Sequence, residues 1–252
     1  MKDGLIDLIK QRGYWRVNFY PPTFEVDRLR ITQCKETIEG NNISLRGWDY
    51  PHIEPSGRTD GNGESGSYSN YYESWTDWGN HIEFWQMYQS GQFLHYRALA
   101  EDWQKRRHEA IEEKLKPIPA SNGNGFIPKD PLKILDIDRA VFQITEVFEF
   151  IRRLVNDQAQ IYEEGMQLSV GLHNTAKRRL FLNDFMRGGL LHEYRTMGDN
   201  IELPYSLSKG ELLLDSAAQA LKVILDLFNR FGWDPSNDVV KNIQEKLLKY
   251  NI

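Results

Sequence analysis

The chain has one cysteine, Cys34, among its 252 residues. A lone thiol excludes an internal disulfide framework and any zinc site built on paired cysteines, and it fits a reducing compartment. Nowhere do apolar residues run for the roughly eighteen positions that a membrane-spanning helix needs. The segment Met1 to Gly13 also lacks a positive stretch followed by an apolar run and a small-residue cleavage site. These absences predict a cytoplasmic protein with no membrane partner. An excess of positive charge is missing too: the net charge is -5, which argues against a sequence-blind nucleic-acid binder while leaving room for a local basic patch.

The common catalytic signatures are equally scarce. There is no G-x-x-x-x-G-K-[ST] loop, no G-x-G-x-x-G after a strand, no G-x-S-x-G elbow and no H-E-x-x-H helix. The six histidines are scattered, with no pair at the helical i, i+4 or strand i, i+2 spacing that would aim two imidazoles at one metal. Cys34 falls among apolar helical positions, as a buried, inert thiol would. Glu193-Tyr194-Arg195 is the nearest approach to a nuclease E-x-K, with Arg in place of Lys. No catalytic residue, no metal ligand and no cofactor are expected.

What is present is a globular composition, 40% hydrophobic and 27% charged, enough for one large domain or two small ones. Six of the seven tryptophans lie in the first 103 residues, which suggests two subdomains. Pro117, Pro119, Gly123, Gly125, Pro128 and Pro131 mark a linker over 117–133, between an aromatic-rich N-terminal subdomain (1–116) and a C-terminal one (134–252).

In the N-terminal part the pattern predicts a short helix over Gly4 to Gln11 and a strand over Tyr14 to Tyr20 that Pro21 and Pro22 stop. A helix follows with Phe24, Ile31, Cys34 and Ile38 on one face, then a strand from Ile43 to Tyr50. Pro55 to Asn70 is nearly devoid of apolar residues and reads as a mobile loop. A hairpin from His81 to Asp102 turns at Ser90-Gly91, and a helix runs from Trp103 to Leu115.

In the C-terminal part, Ile137 through Val155 keep the i, i+3, i+4, i+7 rhythm of an amphipathic helix. Leu168, Val170 and Leu172 alternate, Asn174-Thr175 turns, and Leu180 and Leu182 alternate on the way back, as in a hairpin. A strand fits Ile201 to Tyr205. Ser208 and Glu211 make a capping box ahead of one helix through Phe228, with Gly232 at its C-terminal end, and Asp234-Pro235-Ser236 opens a last helix. Strands grouped as hairpins rather than alternating with helices predict an α+β class, each subdomain a mainly antiparallel sheet with packed helices. The similar order of the two halves admits a degenerate duplication.

The densest cluster of functional residue types is Arg46-Gly47-Trp48-Asp49-Tyr50-Pro51-His52. It reads either as a recognition edge or as an ordinary strand end. In the first case Arg46 offers a planar fork, Trp48 and Tyr50 offer stacking faces, and His52 titrates near neutrality. In the second, alternate residues enter the core, Gly47 marks a bulge, and Arg46 and Asp49 form local ion pairs. Trp75, Trp78 and His81 form a second aromatic group, read either as a stacking platform or as core and subunit interface. Lys105-Arg106-Arg107 pairs with nearby glutamates on a helix face. Lys177, Arg178 and Arg179 fall at the tip of the C-terminal hairpin, where they are candidate phosphate contacts or a solvated turn.

The phrases Leu45-Arg46-Gly47-Trp48-Asp49-Tyr50-Pro51-His52, Tyr88-Gln89-Ser90-Gly91-Gln92-Phe93 and Leu227-Phe228-Asn229-Arg230-Phe231-Gly232-Trp233 resemble segments of uncharacterised bacterial proteins. Some relatives of those proteins carry a Schlafen-like or Alba-like DNA-binding domain, which is not read in these residues. The resemblance therefore carries over no catalytic residue. It implies an accessory or sensing region of a bacterial, phage-defence protein. The expectation is a non-catalytic binding protein, an accessory subunit in a hetero- or homo-oligomer. Its aromatic surface around Trp48, Tyr50, Trp75 and Trp78 would hold a protein partner or ligand. The rival readings are a metal-dependent enzyme acting on nucleic acid or nucleotide, with His52 and Arg46 at work, and a nucleic-acid binder without turnover.

Overall fold

Alternation of apolar and polar residues gives the chain most of its strands, and seven strands meet in one sheet. A computed structural model describes residues 2–55, 61–79, 81–103, 133–182, 190 and 192–249. Its main sheet has seven strands: β1 (Tyr14–Tyr20), β2 (Gly63–Ser67), β3 (Tyr71–Asp77), β4 (Ile82–Tyr88), β5 (Phe93–Ala98), β7 (Met166–His173) and β9 (Asn200–Leu207). They are ordered β2-β3-β4-β5-β1-β7-β9, and every neighbouring pair is antiparallel. A second, parallel pair joins β6 (Ile134–Asp136) to β8 (Arg179–Phe181). The class is α+β and mainly antiparallel.

The two halves of the chain share that sheet. β1 lies between β5 and β7, with Val17 opposite His95 on one side and Val170 on the other. Five N-terminal strands and two C-terminal ones contribute to it, so the halves do not each close a sheet of their own. Apart from Lys133, the expected linker at 117–133 lies outside the described residues. So does the helix expected over Trp103 to Leu115, beyond its first residue, and so does Lys105-Arg106-Arg107.

One sheet face is covered by α2 (Ile31–Asn41), α4 (Ile137–Val155) and α6 (Ser216–Asn229), with α5 (Lys209–Leu214) and α7 (Asn237–Lys249) packed on α4 and α6. The large core runs from Trp15, Val17 and Phe19 through Leu168, Val170 and Leu172 to Ile144, Phe148 and Ile224. Phe150 of α4 sits against Phe19 and Phe93, with ring centroids 6.3 and 5.5 Å away. The opposite face is covered at one end by α1 (Leu5–Lys10), whose Leu5 and Ile9 pack on Tyr14, Trp75, Ile82, Phe84 and Ala98. A four-residue helix, α3 (Ala100–Trp103), follows β5. No described helix is long and apolar enough to cross a membrane.

Local chemistry fixes most boundaries. Asp136 caps α4 by accepting from the Arg139 amide at 3.1 Å, and Ser208 and Glu211 form the expected capping box. Gly91 turns the β4–β5 hairpin with φ +83°. Elsewhere the expectations give way. The helix after Pro22 starts only at Ile31, leaving Phe24 76% exposed. Ile43 to Tyr50 is a loop closed by a single bridge between its ends, because Gly47 reverses the chain with φ +73°. Part of the expected mobile loop, Gly63 to Ser67, is edge strand β2, whose small residues let backbone pairing with β3 proceed where side chains offer little. Leu180 does not pair back on β7; β8 runs parallel to β6. The long helix expected before Phe228 breaks at Asp215 (φ −158°), whose carboxylate caps α6 through the Ala218 amide at 2.8 Å.

Candidate functional site

Toward one end of β3, β4 and β5 the inward-facing residues are mostly polar, whereas those of β7 and β9 are aliphatic. Cross-strand register places Thr76 opposite Glu83, Glu83 opposite Arg97, Trp85 opposite His95, and Ser74 opposite Trp85. Glu83 is buried at the centre of this patch. Its Oε1 accepts the His52 amide at 3.1 Å. Its Oε2 lies 3.2 Å from His81 Nε2, 3.4 Å from His95 Nε2 and 3.5 Å from Arg97 Nε.

Burial opposes the charge on Glu83, but His81, His95 and Arg97 outweigh it and hold its carboxyl well below the usual range. Burial pushes His95 below its ordinary value, and the charges of Arg97 and His81 act in the same direction against the pull of Glu83. A neutral His95 facing a carboxylate carries its proton on Nε2, so Nδ1 accepts from the Tyr50 hydroxyl 3.2 Å away.

The 43–54 segment is fastened over this patch. Trp85 Nε1 donates to the His52 carbonyl at 2.6 Å, the Glu54 amide donates to Ser74 Oγ at 3.0 Å, and Ser65 Oγ donates to the Glu54 carbonyl at 2.8 Å. Gly63 is glycine because an added Cβ would meet the Glu54 side chain at 2.3 Å. Asp49 accepts the His52 ring at 2.6 Å and the Ile53 amide at 3.0 Å. Burial disfavours a charged His52 ring, yet the hydrogen bond to Asp49 and the charges of Asp49, Glu83 and Glu54 prevail and raise its pKa. The same contacts lower that of Asp49 against its own burial.

Four rings gather at the rim. Trp48 stands 4.5 Å from His52, 5.0 Å from Trp78 in an edge-on arrangement and 5.2 Å from His81, centroid to centroid. Trp48 is 37% exposed. Beside it opens a cleft of about 410 Å³, walled by Arg46, Trp48, Asp49 and Tyr50 from the loop, by His81 and Arg97 from the sheet, and by Arg139, Phe142 and Glu146 from α4. The α4 residues fall at i, i+3 and i+7, one stripe of the helix. Glu146 is buried and takes Arg46 Nε at 2.8 Å and its Nη2 as a bidentate pair. Arg97 Nη1 donates to Gln143 Oε1 at 2.6 Å.

The structure thus brings together Arg46, Trp48, Asp49, Tyr50, His52, Trp78 and His81. It separates Trp75, which is buried on the opposite face of the sheet under α1. Tyr50 is buried as well and offers no stacking face. The basic triplet is also dispersed, because the expected hairpin does not form. Arg178 is fully buried and its guanidinium grips Asp102 at 2.9 and 2.7 Å and the Ile134 carbonyl at 2.6 Å. Arg179 is half-buried in β8, and only Lys177 is exposed, at a φ of +61°.

Sequence reading missed Glu83, His95, Arg97, Arg139 and Glu146. The one legible signal was a charged residue at an inward strand position, since Glu83 alternates with Trp85 and Met87. Among the described residues no group of three or more His, Cys, Asp or Glu is arranged to hold a metal ion. Comparison with protein-family models, with curated proteins and with solved structures finds no match.

Proposed function

We propose that the chain is a binding protein without catalytic work of its own. It is an accessory or sensing subunit that holds a ligand in the cleft between the 46–50 loop and α4. The observation that carries this reading is Trp48, a large aromatic left partly exposed at the rim of a cleft whose size falls in the range of small-ligand sites. A buried hydrogen-bonded network behind it holds the loop in one geometry, as a preorganised site requires. The bacterial defence setting implied by the resembling segments belongs to this proposal as the place to seek the ligand.

The rival readings draw less support from the geometry. His52, the candidate base, turns Nδ1 to Asp49, while its Nε2 is buried 3.8 Å from Glu54 and away from the cleft wall. A general base must reach the proton it removes. The nucleic-acid reading keeps Lys177 exposed but not Arg178.

The test is purification from the native host, followed by mass spectrometry of small molecules released on denaturation. A stoichiometric compound retained by the native chain and lost from a folded Trp48→Ala variant is the expected result. Retention of the same compound, or of a protein partner, at unchanged affinity by Trp48→Ala overturns the proposal.

A further inference from the structure

Hydrogen-bonding capacity along the cleft is lopsided. Three guanidiniums, Arg46, Arg97 and Arg139, share the wall with two carboxylates, Asp49 and Glu146. Both oxygens of each carboxylate are already engaged. Asp49 accepts the His52 ring on one oxygen and the Ile53 amide on the other. Glu146 gives both of its oxygens to Arg46. Glu83, behind the wall, takes the His52 amide on one oxygen and turns the other to His81, His95 and Arg97.

The donors are not used up in the same way. A guanidinium has five N–H groups and accepts nothing. Arg46 spends Nε and Nη2 on Glu146, and Arg97 spends Nη1 on Gln143 with Nε near Glu83. Neither Nη1 of Arg46 nor Nη2 of Arg97 has an acceptor among the described residues, and the Arg139 guanidinium has no hydrogen bond or ion pair with any of them. His81 adds a ring at the same wall. A wall with N–H groups to give, and with every oxygen of its two carboxylates already engaged by a donor of the protein, is complementary to an acceptor-rich occupant, and charged donors favour a charged acceptor.

We infer that the occupant of this cleft carries an oxyanion, a phosphate or a carboxylate, bound by the remaining guanidinium N–H groups, together with a planar apolar part that lies against Trp48. The inference rests on the ligand-binding reading of the cleft and specifies the chemical class of what fills it. The fork geometry of the arginines makes the anion a specificity element, since a neutral or cationic head would leave those donors unpaired or repelled.

The experiment follows the indole N–H resonance of Trp48, assigned by its loss in Trp48→Phe, while the full chain is titrated with four probes. They are phenyl phosphate, benzoate, benzyl alcohol and benzylamine, which share a ring and differ in the head group. Phenyl phosphate or benzoate is expected to shift the resonance at concentrations about tenfold or more below benzyl alcohol, with benzylamine weakest. The tighter of the two anions identifies phosphate or carboxylate as the natural head. Arg139→Met, at a half-buried position that leaves the core intact, is expected to weaken the anion by about tenfold and to leave benzyl alcohol unchanged. Benzyl alcohol or benzylamine binding as well as the anions overturns the anion assignment while leaving the cleft as a binding site. If no probe moves Trp48 although the purified chain holds a compound through Trp48, the anion assignment again falls alone. If the chain holds no compound and no probe binds, both fall.

Discussion

One face of one sheet is built in two chemistries. Over β7 and β9 it presents Met166, Leu168, Val170, Leu172, Ile201, Leu203 and Leu207 to the helices, all buried. Toward one end of β3, β4 and β5 it presents Ser74, Thr76, Glu83, Trp85, His95 and Arg97, mostly to an irregular loop. Aliphatic burial is non-directional and stabilises by about 1.5–3 kcal/mol per large side chain. It holds helices in place but does not set the position of a particular atom. A buried hydrogen-bonded network is directional, and an unmade bond inside it is costly. The polar end therefore fixes where Trp48, Asp49 and Arg46 stand, and the cleft lies at that end.

The largest expected effect comes from Glu83→Ala, which strands His81, His95, Arg97 and the His52 amide at one buried point. It should cost about 3–5 kcal/mol in chemical denaturation and shift the Trp48 indole resonance in the native state. Leu168→Ala, at the aliphatic end, should cost about 2–5 kcal/mol and leave that resonance where it was. Equal disturbance of Trp48 by both variants would erase the distinction between the two ends.

Near neutrality the pH dependence of stability should come from the polar end, which holds the two imidazoles with shifted pKa values. His52 has a folded pKa above its ordinary 6.5, so its contribution is complete below that value and is lost as pH rises through the raised one. His95 is shifted the other way, so the unfolded chain takes up a proton first and stability falls as pH drops below 6.5. Glu83, held well below 4.5, contributes above that value and loses its contribution as pH falls further. Stability should therefore peak near pH 6.5, where the two imidazole effects meet. Asp49→Asn should flatten the alkaline limb and spare the acid limb. Denaturation midpoints that keep rising from pH 6.5 to 8 in the native chain would contradict this assignment.

The smallest effect tests a feature remote from both ends. Asp215→Ala removes the cap of α6 and should cost about 1 kcal/mol, roughly 2–4 °C in melting temperature for a chain of this size, with no change at Trp48. A larger loss would mean that the break between α5 and α6 supports the sheet face as well.

The legible parts of the fold were those with a strong local period or a local cap. α4 follows its heptad-like rhythm, β4 and β5 follow their turn at Gly91, and α5 follows its capping box. The 43–50 loop and strand β2 were misread for one physical reason. Their conformations are set by partners distant in sequence, Glu146 and His95 for the loop and β3 for the strand. The candidate site was half legible. Its loop residues stand together in the sequence, so composition exposed them. Glu83, Arg97 and Glu146 come from three separate elements, and only cross-strand register and the packing of α4 bring them together. Arg178 shows the converse, since a run of cations looks solvated until the fold supplies Asp102.

The place of β1 has a consequence for how the chain can be cut. Made early, it is the inner strand that joins β5 to β7, so half of its backbone waits for a partner synthesised after the middle of the chain. A break anywhere between α3 and β6 would leave β1 as a bare edge on one fragment and β7 as a bare edge on the other. Each edge is a template for the other, and for strangers. Two such fragments made together should reassemble by zipping β1 to β7, whereas either made alone should aggregate.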